Sequence, residues 1–265
     1  GLGKTRRAIQ LAEHWGAEII SADSRQVYKE MQIGTAAPTP AERQRVPHHF
    51  AGHKSIQDYY NASMYEQEVL AFLQEYFQDK QLAVMAGGSG MYIDAVCRGI
   101  GDLPEVDSHI REEVRQMWKQ DGLATLQEAV KQADPDFYRH ADIHNPMRLR
   151  RALEVFRQTG KPFSAFRRDK PKTRPFRIYK LALFLPREQM YQRINQRVDR
   201  MLENGLLEEV RGLHRYKYLN SLNTVGYKEL FAYLDGRIDY AEAVRLIKRN
   251  SRRYAKRQMT WFRKD

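Results

Sequence analysis

The chain opens with "GKTRRAIQLAEHW" behind Gly1 and Leu2, and in it Ala8, Ile9, Leu11 and Ala12 recur at helical spacing among polar residues. That pattern predicts an amphipathic helix. "AEIISAD" follows, a short apolar run ending in a carboxylate, as a buried parallel strand does. "NASMYEQEVLAFLQEYF" begins with a cap candidate, Asn61 or Ser63, and continues as an amphipathic helix. "QLAVMAGGSG" is a second buried-strand pattern running into glycines. The alternation predicts an α/β fold, a parallel sheet core flanked by helices, with ligands at the C-terminal strand ends.

The pattern changes after residue 103. "SHIREEVRQMWKQ", "LATLQEAVKQA", "PDFYRHA" and "NPMRLRRALEVFRQTG" are helical segments split by Gly, Pro and Asp, which predicts a small helical insertion over 104–160. The α/β core then comprises 1–103 and 161–265. Within it "RIYKLALFL" (177–185) is expected as a returning strand and 187–263 as helices. The connector "RRDKPKTRPFR" (167–177) is basic and contains proline; it reads as an exposed linker or an RNA-facing loop.

Composition sharpens this picture. With 265 residues, 42% hydrophobic and 11% aromatic, the chain can bury a sizeable core. The net charge of +12 is unevenly placed: residues 1–100 are nearly neutral, and the basic excess lies in 101–265. A basic part of that size suits a polyanion such as RNA, or a basic surface without a partner. No apolar run reaches membrane-spanning length, so no membrane helix is expected. The lone Cys97 excludes an internal disulfide and agrees with a reducing cytoplasm. Its apolar setting, "MYIDAVCRG", suits a buried structural thiol. His48, His49 and His53 have neither a cysteine pair nor an H-E-x-x-H frame beside them, so no zinc site is expected.

Gly3-Lys4-Thr5 reads as the end of a phosphate loop, G-x-x-x-x-G-K-[ST], with Gly1 and Leu2 as its fourth and fifth positions. Backbone N–H groups at such a helix start point at an anion, the lysine adds a point charge, and the threonine hydroxyl can ligate Mg²⁺. Loops of this kind bind nucleotides such as ATP. The earlier loop positions and the strand feeding them lie outside the sequence. "SADSRQVYKEMQIGTAAP" (21–38) crowds Asp23, Ser24, Arg25 and Gln26 directly after an apolar strand, where active-site loops sit. Asp23 is either a magnesium partner or a base acting on an acceptor. "GGSGMY" (87–92) is a second glycine turn, with Ser89 as a hydroxyl donor. "IKRNSRRYAKRQMTWFRK" interleaves basic residues with Tyr254, Trp261 and Phe262, which suits RNA bases stacking on rings or helix packing by those rings.

Taken in order, "GKT", "DSRQVYKEMQIGTAAP", "GGSGMYIDAV", "NPMRLRRALEVF…TGK", "RINQRVDRMLENGLLEEV", "NTVGYKEL" and "RRYAKRQMTWFR" resemble the tRNA dimethylallyltransferase (isopentenyl-tRNA transferase, IPP transferase) family over the whole chain. Serine at Ser89 replaces the family's common threonine and keeps the hydroxyl. The resemblance implies a P-loop-type core and transfer of a dimethylallyl group from dimethylallyl diphosphate to N6 of the adenosine 3′ of the tRNA anticodon, with pyrophosphate released. It implies that Gly1, Leu2, Gly3, Lys4, Thr5 and Mg²⁺ on Thr5 hold the diphosphate. It makes Asp23 the general base, with Thr5 and an arginine, Arg193 or Arg197, at the reacting diphosphate. The adenosine would leave the anticodon stack for a channel.

Resemblance further assigns tRNA contacts to Asp23, Ser24, Arg25, Gln26, Ser89 and Arg111. It adds Met147, Arg148, Leu149, Arg150 and Arg151, with the insertion gripping the anticodon stem. It adds Asn223, Thr224, Val225, Gly226, Tyr227 and Lys228, and finally Lys256, Arg257, Gln258, Met259, Thr260, Trp261, Phe262 and Arg263. The expected protein is a cytoplasmic monomer acting on the anticodon stem-loop. The alternatives are an ATP-dependent kinase of a nucleoside or other small molecule, a prenyltransferase acting on free adenine nucleotides, and a non-enzymatic RNA-binding module.

Overall fold

The computed structural model describes residues 3–101, 103–166 and 171–264. Gly1, Leu2 and part of the 167–177 connector therefore lie outside the described residues. The chain divides into two compact units, Gly1–Cys97 with Pro175–Asp265, and Arg98–Arg174.

The first unit is built on a three-stranded parallel sheet. Helix α1 (Lys4–Trp15) leads into β1 (Glu18–Ala22); α2 (Pro40–Arg45) leads into β2 (His48–His49); α3 (Ala62–Asp79) leads into β3 (Ala83–Gly87). The order is β2-β1-β3, and Ile19 pairs with both His48 and Val84. Ala8, Ile9 and Ala12 of α1 cluster with Ile19 and Val46, against Val84 and Ala86. Of the two cap candidates Asn61 starts α3, accepting the N–H groups of Ser63 and Met64. Beyond the sheet come α4 (Gly90–Arg98) and four later helices. These are α8 (Arg187–Glu203), α9 (Leu206–Gly212), α10 (Tyr227–Leu234) and α11 (Tyr240–Phe262). Buried Glu229 ties α10 to α11 by accepting the Asn250 side-chain amide at 2.7 Å.

Three sequence expectations need correction here. Segment 177–185 forms no strand; Ile178, Tyr179, Leu181, Leu183 and Phe184 are exposed. A parallel strand exists only beside a neighbour that accepts its ladder, and none pairs with this segment among the described residues. Strand β3 pairs with β1 alone among them and is half-buried throughout, not enclosed as its apolar run predicts. Cys97 is likewise half-buried.

The second unit is helical: α5 (Ser108–Ala133), α6 (Pro135–His140) and α7 (Pro146–Thr159). Helix α5 bends at Gly122, whose φ of 82° breaks the helical path. Val114, Leu126, Val130, Phe137, Leu149, Ala152 and Leu153 form its core. Buried Asp134 caps α6 through the Phe137 N–H and also accepts the N–H and hydroxyl of Ser164. That bond draws the turn at Phe163–Phe166 into the unit, and the Lys172 N–H closes its base on the Arg98 carbonyl. The unit is thus wider than residues 104–160.

Candidate active site

Helix α1 starts in the manner an anion site requires. Gly3 takes a left-handed φ of 74°, and no side chain caps the helix. The first-turn N–H groups are left for a ligand. Lys4 and Thr5 follow, both half-buried. Burial pushes the Lys4 ammonium below its ordinary value; nearby Asp23 opposes that shift and Arg197 adds to it.

Asp23 stands just past the end of β1. Its Oδ1 accepts the N–H of Arg25 at 3.0 Å and of Gln26 at 3.4 Å, a local turn that aims the carboxylate. The field of Asp23 also reaches Arg197 on α8, whose guanidinium is depressed by burial, with Asp23 opposing. Arg197 Nη2 donates to the Thr35 carbonyl at 3.3 Å. Arg193, one turn earlier on α8, is exposed. The two arginines that spacing left equivalent are therefore unlike: Arg197 shares the electrostatic environment of Lys4 and Asp23.

Gln26 organises the loop after β1. Its amide donates to the carbonyls of Thr35 and Ala36 at 3.1 and 3.0 Å, and its oxygen accepts the Ser21 hydroxyl. Ala36 is held at a φ of 48°, a conformation a non-glycine residue adopts only under such constraint. Arg25 reaches the other way, donating to the carbonyls of Asn220 and Ser221. That joins the loop to the segment leading into Asn223–Lys228. In this segment Asn223 and Lys228 are exposed, whereas Tyr227 is fully buried.

The glycine turn after β3 is bonded to this loop. The Ser89 hydroxyl accepts the Ser24 N–H at 2.9 Å and lies 3.2 Å from the Ser24 hydroxyl. A Cβ on Gly87 would collide with the Ala22 backbone, which explains a glycine where β1 and β3 end side by side. Helix α11 closes over this turn. Gln258 Nε2 donates to the Gly88 carbonyl at 2.6 Å, and Trp261 Nε1 to Asp94 at 3.1 Å. Lys256, Arg257, Thr260, Trp261 and Arg263 keep exposed surface, while Gln258, Met259 and Phe262 are half-buried. The helix is thus packed by part of its motif and charged along the rest.

Two further side chains stand beside these residues. Tyr254 hydrogen-bonds to Gln258 and Ser89, and its phenol is raised by burial and then by Asp23. Glu209, inside "GLLEEV", accepts backbone N–H groups of the 32–34 turn. Tyr254 lies in the basic and aromatic run already singled out, whereas no spacing marks Glu209.

Within the helical unit, Met147 and Arg148 are exposed on the first turn of α7. Arg150 and Arg151 pair with buried Glu154, whose carboxyl is raised by burial against the pull of those arginines. Leu149 is fully buried in the unit's core. Arg111 Nε donates to the Val106 carbonyl at 2.9 Å.

A family model described as IPP transferase matches residues 26–265. "tRNA dimethylallyltransferase 1" of Bacteroides thetaiotaomicron is 50% identical over 100% of this chain and 86% of its own length. "tRNA dimethylallyltransferase 2" of Porphyromonas gingivalis is 52% identical over 100% of this chain and 88% of its own. Among solved structures, the full-length tRNA isopentenylpyrophosphate transferase of Bacillus halodurans aligns with a TM-score of 0.70 and 34% identity, over 100% of this chain and 84% of that one. A eukaryotic dimethylallyltransferase acting on tRNA aligns with a TM-score of 0.78 and 26% identity, over 98% of this chain and 67% of that one. By sequence, from the loop after β1 to the C-terminal helix, and by fold, the chain belongs to the IPP transferase family.

Proposed function

We propose that this protein transfers the dimethylallyl group of dimethylallyl diphosphate to N6 of the adenosine 3′ of the anticodon in tRNA, releasing pyrophosphate. The observation that carries the reading is that Gln26, whose N–H binds Asp23, and Arg197 both donate to the Thr35 carbonyl, which brings carboxylate and guanidinium to one place; Lys4 and Arg197 both feel the charge of Asp23. A base for the acceptor and two cations for the leaving group thus share one cleft.

The adenine N6 amine is a poor nucleophile, so its placement and the removal of its proton both matter. N6 attacks C1 of the dimethylallyl group as the C1–O bond breaks. The electron pair of that bond leaves on the diphosphate, and the N6 proton passes to Asp23. Lys4, the α1 N-terminus and Arg197 stabilise the charge that develops on the diphosphate. Arg197 takes this part rather than Arg193, because it donates to the Thr35 carbonyl that Gln26 also holds, while Arg193 is exposed.

A Mg²⁺ ion fits this chemistry. Thr5 offers a hydroxyl in the first turn of α1, and Asp23 Oδ2 has no hydrogen bond among the described residues. Magnesium takes only one or two protein oxygens beside substrate phosphates and water. It is therefore compatible with the absence of a three-residue ligand cluster among the described residues. When bound, it would neutralise diphosphate charge.

Ser89, Ser24 and the exposed basic residues of α11 are the contacts we assign to the extruded adenosine and its strand. Met147, Arg148 and their neighbours in the helical unit are assigned to the stem. A tRNA acceptor puts the protein in the cytoplasm. No helix among the described residues is long and apolar enough to cross a membrane.

The test supplies radiolabelled dimethylallyl diphosphate or γ-labelled ATP, with Mg²⁺, to an anticodon stem-loop or to free AMP. Label from dimethylallyl diphosphate should appear in the stem-loop alone. Label from ATP on a small acceptor would establish a kinase instead, and label on AMP a free-nucleotide prenyltransferase.

A further inference from the structure

Glu209 on α9 makes more hydrogen bonds to the active-site loop than any ordinary surface carboxylate needs. Its Oε2 accepts the N–H groups of Gln32 and Ile33 at 2.9 and 2.7 Å, and its Oε1 accepts that of Gly34 at 3.0 Å. Three successive amides thus converge on one carboxylate. The fully buried Tyr227 hydroxyl donates a fourth bond to Oε1 at 2.6 Å. The fit at this point is tight: a Cβ on Gly34 would lie 2.5 Å from the Tyr227 ring.

The turn so held continues directly into Thr35 and Ala36. The Thr35 carbonyl accepts from both Gln26 and Arg197, and the Ala36 carbonyl accepts from Gln26. Gln26 in turn donates its N–H to Asp23. A short path therefore runs from Glu209 through the 32–36 turn to the two side chains flanking Asp23.

We propose that Glu209 is a positioning residue for dimethylallyl transfer: by clamping the 32–34 turn it fixes the Thr35 and Ala36 carbonyls that seat Gln26 and Arg197 beside Asp23. The inference rests on the function proposed above. Its chemistry requires an anion. A carboxylate presents only acceptors to four donors, whereas an amide in its place turns an NH₂ toward an N–H.

The experiment is a double-mutant cycle on steady-state transfer, with dimethylallyl diphosphate and an anticodon stem-loop as substrates. It compares wild type, Glu209→Gln, Gln26→Ala and the double variant. Glu209→Gln should lower kcat roughly 10- to 100-fold while KM for the RNA stays within about threefold. The double variant should lose clearly less than the product of the two single losses, because Glu209 acts partly through Gln26. Effects that multiply in the double variant, or an unchanged kcat, overturn the proposal. Should Glu209→Gln fail to fold by circular dichroism, Tyr227→Phe takes its place in the cycle, since it removes one donor and leaves the three amides. Failure of both to fold also overturns the proposal, because it assigns Glu209 to folding alone. A wild-type protein that transfers nothing would instead refute the function itself.

Discussion

The Ser89 hydroxyl accepts the Ser24 backbone N–H at 2.9 Å, one residue beyond Asp23. This bond joins the turn after β3 to the loop after β1 beside Asp23. Ser89→Thr keeps the hydroxyl and should retain transfer within about threefold. Ser89→Ala leaves the Ser24 N–H without its acceptor, a loss of about 1–3 kcal/mol at a half-buried position. Its kcat should fall roughly 5- to 100-fold, read by label transfer to the stem-loop.

Arg197 and Arg193 lie one turn apart on α8; Arg197 donates to the Thr35 carbonyl and feels Asp23, whereas Arg193 is exposed. Arg197→Ala should lower kcat about 100-fold or more, as loss of a charge-stabilising donor does. Arg193→Ala should stay within about threefold on an exposed site. Single-turnover rates at saturating substrates check both, and equal losses would remove the distinction.

The Lys4 ammonium is lowered from 10.5 by burial. The charged form is the one that holds an anion. Activity that depends on it is therefore present below the lowered value and lost as pH rises through it. The alkaline limb of kcat/KM for dimethylallyl diphosphate should thus lie below 10.5. Lys4→Arg should push that limb beyond the measurable range, because a guanidinium stays charged. In kcat the wild-type limb should sit higher, since the bound diphosphate favours the ammonium.

Gly34 has a tertiary reason to be glycine. A Cβ there meets the fully buried ring of Tyr227, which has no room to retreat. Gly34→Ala should destabilise the protein by about 1–3 kcal/mol in urea unfolding. Transfer should fall with it, since the Glu209 clamp passes through the same turn.

How much of this was legible in the sequence depends on which physical signal each part carries. Helix α1, strands β1 and β3 and the glycine turn are written in local periodicity. The place of Asp23 just past β1 was legible because a carboxylate ends an apolar run. The strand at 177–185 was misread because its apolar pattern says nothing about whether a neighbour exists to complete its ladder. The choice between Arg193 and Arg197 was illegible because helical spacing puts them on one face; only the packing of α8 against the 32–36 turn separates them. Glu209 left no local trace, because the three backbone N–H groups it accepts lie 175 to 177 residues away.

The central claim is that Asp23 takes the proton as N6 is alkylated, and the mass of an anticodon stem-loop tests it most directly. The RNA is incubated with dimethylallyl diphosphate, Mg²⁺ and either wild type or Asp23→Asn, then weighed and digested to locate the change. With wild type the RNA should gain one five-carbon unit on the adenosine 3′ of the anticodon. Asp23→Asn should be about 100-fold slower or worse, with RNA affinity kept within about threefold. An RNA of unchanged mass after incubation with the wild type, or an Asp23→Asn variant as fast as it, would contradict the account.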